Sequence, residues 1–142
     1  MKKTVIAIWG HSAQGKSSSI KEIVNAISFH YPRSVIDTRI SGNDIQVIIQ
    51  LDKVKIGVES QGDPGGRLQR SLDLFLQENC DIIICATRTR GDTVTSVEGL
   101  FPAYEVVWAS NYFSREKNID QSNRIFSNHI ILLLEEIIAG RY

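Results

Sequence analysis

Apolar and polar positions follow one another along this chain in short segments of changing period. Thr4–Trp9 is a β-rich apolar run that stops at Gly10. From Ser17 to about His30, Ile20, Ile23, Val24 and Ile27 recur at helical spacing, and Tyr31-Pro32 closes the segment. Asp44–Gln50 and Lys53–Ser60 read as two strands joined by a tight turn at Leu51-Asp52. In the second, Val54, Ile56 and Val58 fall on one face and Lys53, Lys55 and Gly57 on the other. Beyond the glycine-rich turn 62–66, the residues Leu68, Leu72, Phe75 and Leu76 mark a helix over 68–77. Asp81–Ala86 has the continuous apolar character of a central strand covered on both faces. Val94 to about Phe101 predicts a short helix, Glu105–Ala109 another buried strand, and Asp120–Ala139 a long last helix stopped by Gly140. This order predicts an α/β three-layer sandwich with a mainly parallel sheet and one antiparallel edge hairpin.

Composition narrows the class. A chain of 142 residues, 42% of them hydrophobic, suits one folded unit over 1–142 and excludes intrinsic disorder. Lys plus Arg and Asp plus Glu each number 16, so the formal net charge is +0. That balance excludes binding to nucleic acid through bulk positive charge, and no nucleic-acid partner is expected. Cys80 and Cys85 flank an Ile-rich run with neither C-x-x-C spacing nor a second ligand pair. They read as reduced, buried thiols in a reducing compartment. The apolar stretch Val5–Trp9 is shorter than the roughly 7–15 residues of a secretory signal. The longest apolar run elsewhere, Ile130–Leu134, is far short of the roughly 18 needed to cross a bilayer. A soluble, cytoplasmic protein with no membrane partner is expected.

The most specific chemical feature is Gly10-His11-Ser12-Ala13-Gln14-Gly15-Lys16-Ser17, which fits G-x-x-x-x-G-K-[ST] without a mismatch. A predicted strand ends directly before it and a helix begins directly after. Gly10 and Gly15 let the backbone curl so that its N–H groups face an anion, and the helix start adds a positive dipole end. In such a nest Lys16 reaches the β- and γ-phosphates of a nucleotide, and the Ser17 hydroxyl ligates Mg2+. Ser18, in the first helical turn, belongs to the same phosphate-facing set. Trp9 packs under the loop, and His11 is a base-adjacent or solvent-facing position.

A Mg2+ shell calls for an acidic group at the end of a neighbouring strand. Glu59 closes the run Val54–Val58 and is the metal and catalytic candidate; Asp63, in the turn Gly62-Asp63-Pro64-Gly65-Gly66, is a second. Each has a simpler reading, a solvated strand end for Glu59 and a turn former for Asp63. At the end of the central strand comes Ala86-Thr87-Arg88-Thr89-Arg90-Gly91-Asp92. In a parallel α/β sheet this end borders the ligand crevice. Arg88 and Arg90 could there neutralise phosphate charge or hold an acceptor's anionic group, and the alternative is a surface turn paired with Asp92 or Asp63. Arg67 is a weaker candidate. His30 reads as a helix-end cation, His129 as a core-edge residue, and Glu135 and Glu136 as a solvated face.

With these motifs in place the chain resembles the P-loop NTPases, and the order of its parts is similar to that of small GTPases. The resemblance covers roughly residues 4–114 and also extends to short bacterial P-loop proteins carrying E-S-Q-G-D-P and A-T-R-T-R-G. It implies a P-loop NTPase fold, a switch segment with Thr38, and Glu59-Ser60-Gln61-Gly62 in the place of D-x-x-G. There Gly62 would meet the γ-phosphate. Glu stands where that motif has Asp, and Asp63 where GTPases commonly carry a water-orienting glutamine. The guanine-reading N-K-x-D is not kept: after the strand Glu105–Ala109 come Ser110-Asn111-Tyr112-Phe113-Ser114, with Tyr112 for Lys and Ser114 for Asp. Asn111 and Tyr112 remain as base-contacting candidates, and ATP is favoured over GTP.

The expectation is Mg2+-dependent nucleoside triphosphate binding with slow hydrolysis. Loops 38–43 and 61–66 would be ordered by the γ-phosphate and read by a protein partner. Two other functions stay open: a small-molecule or nucleotide kinase using Arg88 and Arg90 on an acceptor, and a non-catalytic nucleotide-binding module.

Overall fold

The computed structural model describes residues 1–10, 16–110 and 119–142. Among the described residues six strands and four helices follow one another: β1 (Thr4–Trp9), α1 (Lys16–His30), β2 (Val35–Ile40), β3 (Gln46–Leu51), β4 (Val54–Glu59), α2 (Leu68–Gln77), β5 (Ile82–Thr87), α3 (Asp92–Glu98), β6 (Glu105–Ser110) and α4 (Ile119–Ile138). The strands form one sheet in the order β2-β3-β4-β5-β1-β6.

β4, β5, β1 and β6 run parallel, whereas β2–β3 and β3–β4 pair antiparallel. The sheet is therefore mixed, not mainly parallel with one edge hairpin. The difference comes from β2, a strand that the apolar pattern does not reveal. Val35 to Arg39 are all exposed, so β2 is held by its ladder to β3 rather than by burial. Thr38 is part of this strand and pairs with Val47, so the expected mobile loop 38–43 is strand as far as Ile40.

Two apolar cores lie on opposite faces of the sheet. Ile20, Ile23 and Ile27 of α1 and Phe126, Ile130 and Leu134 of α4 cover one face, against Ile6, Ile8, Ile56, Val58, Ile82 and Ile84. Leu68, Leu72 and Phe75 of α2 and Val97 of α3 cover the other, against Val5, Ala7, Ile83 and Cys85. Strand residues of odd and even number thus bury on different faces, as the two-residue period of a strand requires. Both cysteines are free and fully buried. Among the described residues β6 pairs only with β1, and its residues are exposed or half-buried, so it is an edge strand and not a buried one.

Local stops follow the expected chemistry. α4 ends with Gly140 at φ +75°: its N–H donates to Ile137 and the Arg141 N–H to Glu136, a Schellman closure. α2 ends the same way through Asn79 at φ +56°, a residue type that tolerates the left-handed region. Among the described residues no helix is long and apolar enough to cross a membrane.

Candidate functional site

β1 and β5 lie side by side and end together, with Trp9 in register with Thr87. The Gly10 N–H then donates to the Thr87 carbonyl at 3.2 Å. The octet therefore begins at the carboxyl end of an interior parallel strand, and its lysine is the first residue of α1. His11, Ser12, Ala13, Gln14 and Gly15 lie outside the described residues, as do the side chains of Lys16 and Ser17. Asn111 and Tyr112 also lie outside them. Ser18 is exposed in the first turn of α1, beside Lys21, Glu22, Asn25, Asn123 and Arg124 in a polar groove of about 270 Å³. Trp9 is partly exposed at the end of β1.

Glu59 is placed differently from the expectation. β5 intervenes between β4 and β1, and Glu59 is in register with Cys85, two residues short of the strand end. Its side chain packs on the α2 face, away from α1, and is fully buried. Oε1 accepts from Arg67 Nε at 2.7 Å and from the Ser71 hydroxyl at 2.5 Å. Oε2 accepts from Arg67 Nη2 at 3.1 Å and from the Gln61 N–H at 2.9 Å. Two carboxylate oxygens offer about four lone-pair sites, so this set saturates the group. Gln46 extends the network by donating Nε2 to the Ser71 hydroxyl at 2.8 Å. The Glu59 carboxylate in turn raises the Arg67 guanidinium above its ordinary pKa. In this fold Glu59 closes the base of the loop from β4 to α2, where a metal role would need free lone pairs.

The same base is locked by Gln61, whose Oε1 accepts the Arg67 N–H at 2.8 Å. From there the chain crosses the end of β5. A Cβ on Gly62 would stand 2.4 Å from the Ala86 carbonyl oxygen, so glycine at this position permits backbone to lie directly on backbone. The tip of the turn reaches the arginine segment. Arg88 donates Nη2 to Asp63 Oδ1 at 3.1 Å, and the Gly65 N–H donates to Asp92 Oδ2 at 3.0 Å. The Arg88 backbone N–H is held by the Thr93 hydroxyl at 3.0 Å, and its Nε is buried with no acceptor among the described residues. Arg90 is exposed on the same turn.

Asp63 and Arg88 thus meet, Arg88 lies one residue beyond the Gly10–Thr87 contact, and Glu59 stands apart from both. Near the 38–43 loop, Asp44 accepts from the Ser60 hydroxyl just past β4 at 2.9 Å and the Gly42 carbonyl accepts from Lys21 Nζ of α1 at 2.8 Å, which ties residues 42–44 down. Ser71, Gln46 and Thr93 carry no motif and emerge only from packing. Among the described residues no three His, Cys, Asp or Glu side chains cluster as a metal site would require. An apolar depression of about 580 Å³ lies at the other end of the sheet beside the turn 51–54.

Comparison of the chain with protein-family models, with curated proteins and with solved structures finds no match.

Proposed function

We propose that the chain is a P-loop nucleoside triphosphate-binding protein that takes Mg-ATP in preference to Mg-GTP and turns it over slowly. The observation that carries this reading is the position of Gly10–Ser17. Its first glycine follows an interior strand at the carboxyl end of the parallel set, and its lysine opens a helix of 15 residues. Strand, glycine-bounded loop and helix start are the three parts that a backbone anion nest needs. Arg88 supports the same reading: a buried Nε without an acceptor among the described residues, one residue past the strand end that adjoins Gly10, suits a phosphate oxygen.

Lys16 would meet the β- and γ-phosphates. Ser17 would ligate Mg2+, with the remaining shell drawn from phosphate oxygens and water, as Mg2+ commonly keeps several waters. The ion would supply charge neutralisation on the phosphates. Glu59 is omitted from that shell because its four acceptor sites are occupied.

Binding without turnover is the second reading, and one observation favours it. Of the two acids expected beside the phosphates, Glu59 has every acceptor site occupied by Arg67, Ser71 and Gln61, so it is not free to polarise a water. Calorimetry with Mg-ATP and Mg-GTP on wild type and Lys16→Ala, followed by phosphate release on the same samples, tests both readings. ATP binding lost in the variant with slow release in wild type supports the first; binding without release supports the second. Tighter GTP than ATP overturns the base preference, and no binding of either overturns the proposal.

A further inference from the structure

Two arginine–carboxylate pairs hold the 60–67 segment, and they differ in kind. At its base, Arg67 spends Nε and Nη2 on both oxygens of a fully buried Glu59. At its tip, Arg88 spends only Nη2, on an Asp63 side chain that is 62% exposed, and leaves Nε buried without an acceptor among the described residues. A guanidinium is built for two parallel hydrogen bonds to one anion, so the Arg88 pair is an incomplete version of the contact that Arg67 makes in full.

We infer that Asp63 is a resident stand-in for a ligand's phosphate group on Arg88, and that the turn 61–66 is a latch that the phosphate opens. The inference rests on the nucleotide reading above and gives it a direction. A phosphate held near Gly10 offers Arg88 two oxygens where Asp63 offers one, and it also supplies an acceptor for the orphaned Nε. The exposed carboxylate is then displaced into water, which costs it little desolvation. Toward the arginine segment the tip then keeps the Gly65 N–H to Asp92 contact, beside its own Gly66 N–H to Asp63 carbonyl bond. The base stays closed, because Glu59, Arg67, Gln61 and Ser71 bond one another beneath it. Ligand binding would thus loosen residues 62–66 about a fixed hinge. This is opposite in sign to the ordering by γ-phosphate that the likeness to GTPases implies.

The test compares wild type, Asp63→Asn, Arg88→Lys and Lys16→Ala with two probes, Mg-ATP and tripolyphosphate. Binding is measured by calorimetry and amide exchange is followed in peptides spanning 61–66. Asp63→Asn removes the competing charge at an exposed site, so it should bind both probes about three- to tenfold more tightly. Its 62–66 amides should exchange quickly even without ligand. Arg88→Lys, which keeps the charge and loses the fork, should weaken binding about tenfold. In wild type, either probe should speed exchange at 62–66. Unchanged or weaker binding by Asp63→Asn overturns the latch, because Asp63 would then not compete with the ligand for Arg88. Slower exchange at 62–66 on binding overturns it as well. If wild type binds either probe through Lys16 and these signs fail, the latch alone falls; if wild type binds neither, the nucleotide reading falls and takes the latch with it.

Discussion

Arg67 and Glu59 meet fork to fork, Nε to Oε1 at 2.7 Å and Nη2 to Oε2 at 3.1 Å, with the carboxylate wholly buried under the loop that joins β4 to α2. Ser71 and the Gln61 N–H complete the acid's shell. The pair converts a strand-end carboxylate into an internal tie between a strand and the start of a helix. Buried ion pairs of this kind are costly to break from one side, since the surviving charge stays in an apolar setting.

Arg67→Met should therefore destabilise the fold by about 3–5 kcal/mol, the range for one-sided loss of a buried pair. Arg67→Met combined with Glu59→Gln should recover part of that loss, because no uncompensated charge remains. Urea denaturation of the two variants measures both values. Equal stabilities for wild type and Arg67→Met would show that the pair is not buried in solution.

Gly57 faces the ring of Phe75, and a Cβ there would stand 2.5 Å from Cγ of that ring. Phe75 is fully buried among the residues under α2. Gly57→Ala should cost about 1–3 kcal/mol through overpacking, with the ring pushed off its rotamer. Adding Phe75→Leu should make the two changes less than additive, since the smaller side chain vacates the contact. A thermal-melt double-mutant cycle reads the coupling.

Gly62 lies against the carbonyl and Cβ of Ala86, a residue of an interior strand that cannot retreat. Gly62→Ala should lift the 61–66 turn away from β5 and break the Arg88–Asp63 contact, with a smaller effect on global stability than Gly57→Ala. Amide exchange confined to 61–66 and the segment 87–93 is the expected signature. Uniformly faster exchange throughout the sheet would contradict it.

Burial pushes the Cys85 thiol up to about 12 and the Cys80 thiol up to about 11, both from 9.0. Burial likewise raises Tyr104, whose hydroxyl donates to the Cys80 carbonyl, to about 12 from 10.0. These groups hold their protons longer in the folded chain than in the unfolded one. Stability from them is full below about pH 9 and declines as pH rises through the raised values, because the unfolded state then releases protons first. Melting temperature should be level across neutral pH and fall from about pH 9 upward. Thiol modification at pH 8 should be slow and limited by opening of the fold. Rapid labelling of native protein would contradict the burial.

The periodic segments were readable because burial on one or two faces writes itself into residue order. α2 follows its apolar spacing to the residue, Leu68–Gln77, α1 differs from it by one residue at its start, and β5 and α4 are each shifted by one residue. β2 was not readable: its exposed residues leave no apolar alternation, and backbone bonds to β3, which any sequence can make, define it. β6 reads as a buried strand because Glu105–Ala109 is apolar, yet neighbours on one side only leave it at the edge.

Sequence alone determined the α/β class, the octet at a strand–helix junction, the buried thiols and the arginine turn, all local in the chain. It also placed Glu59 on the same strand face as Lys55 and Gly57, opposite Ile56 and Val58. What only the tertiary structure decided is which charges meet. β5 enters between β4 and β1, Glu59 turns to α2 and finds Arg67, and Asp63 crosses the strand end to Arg88. Residue order encodes a side chain's face through period two, but its partner depends on strand order and register, which long-range packing selects.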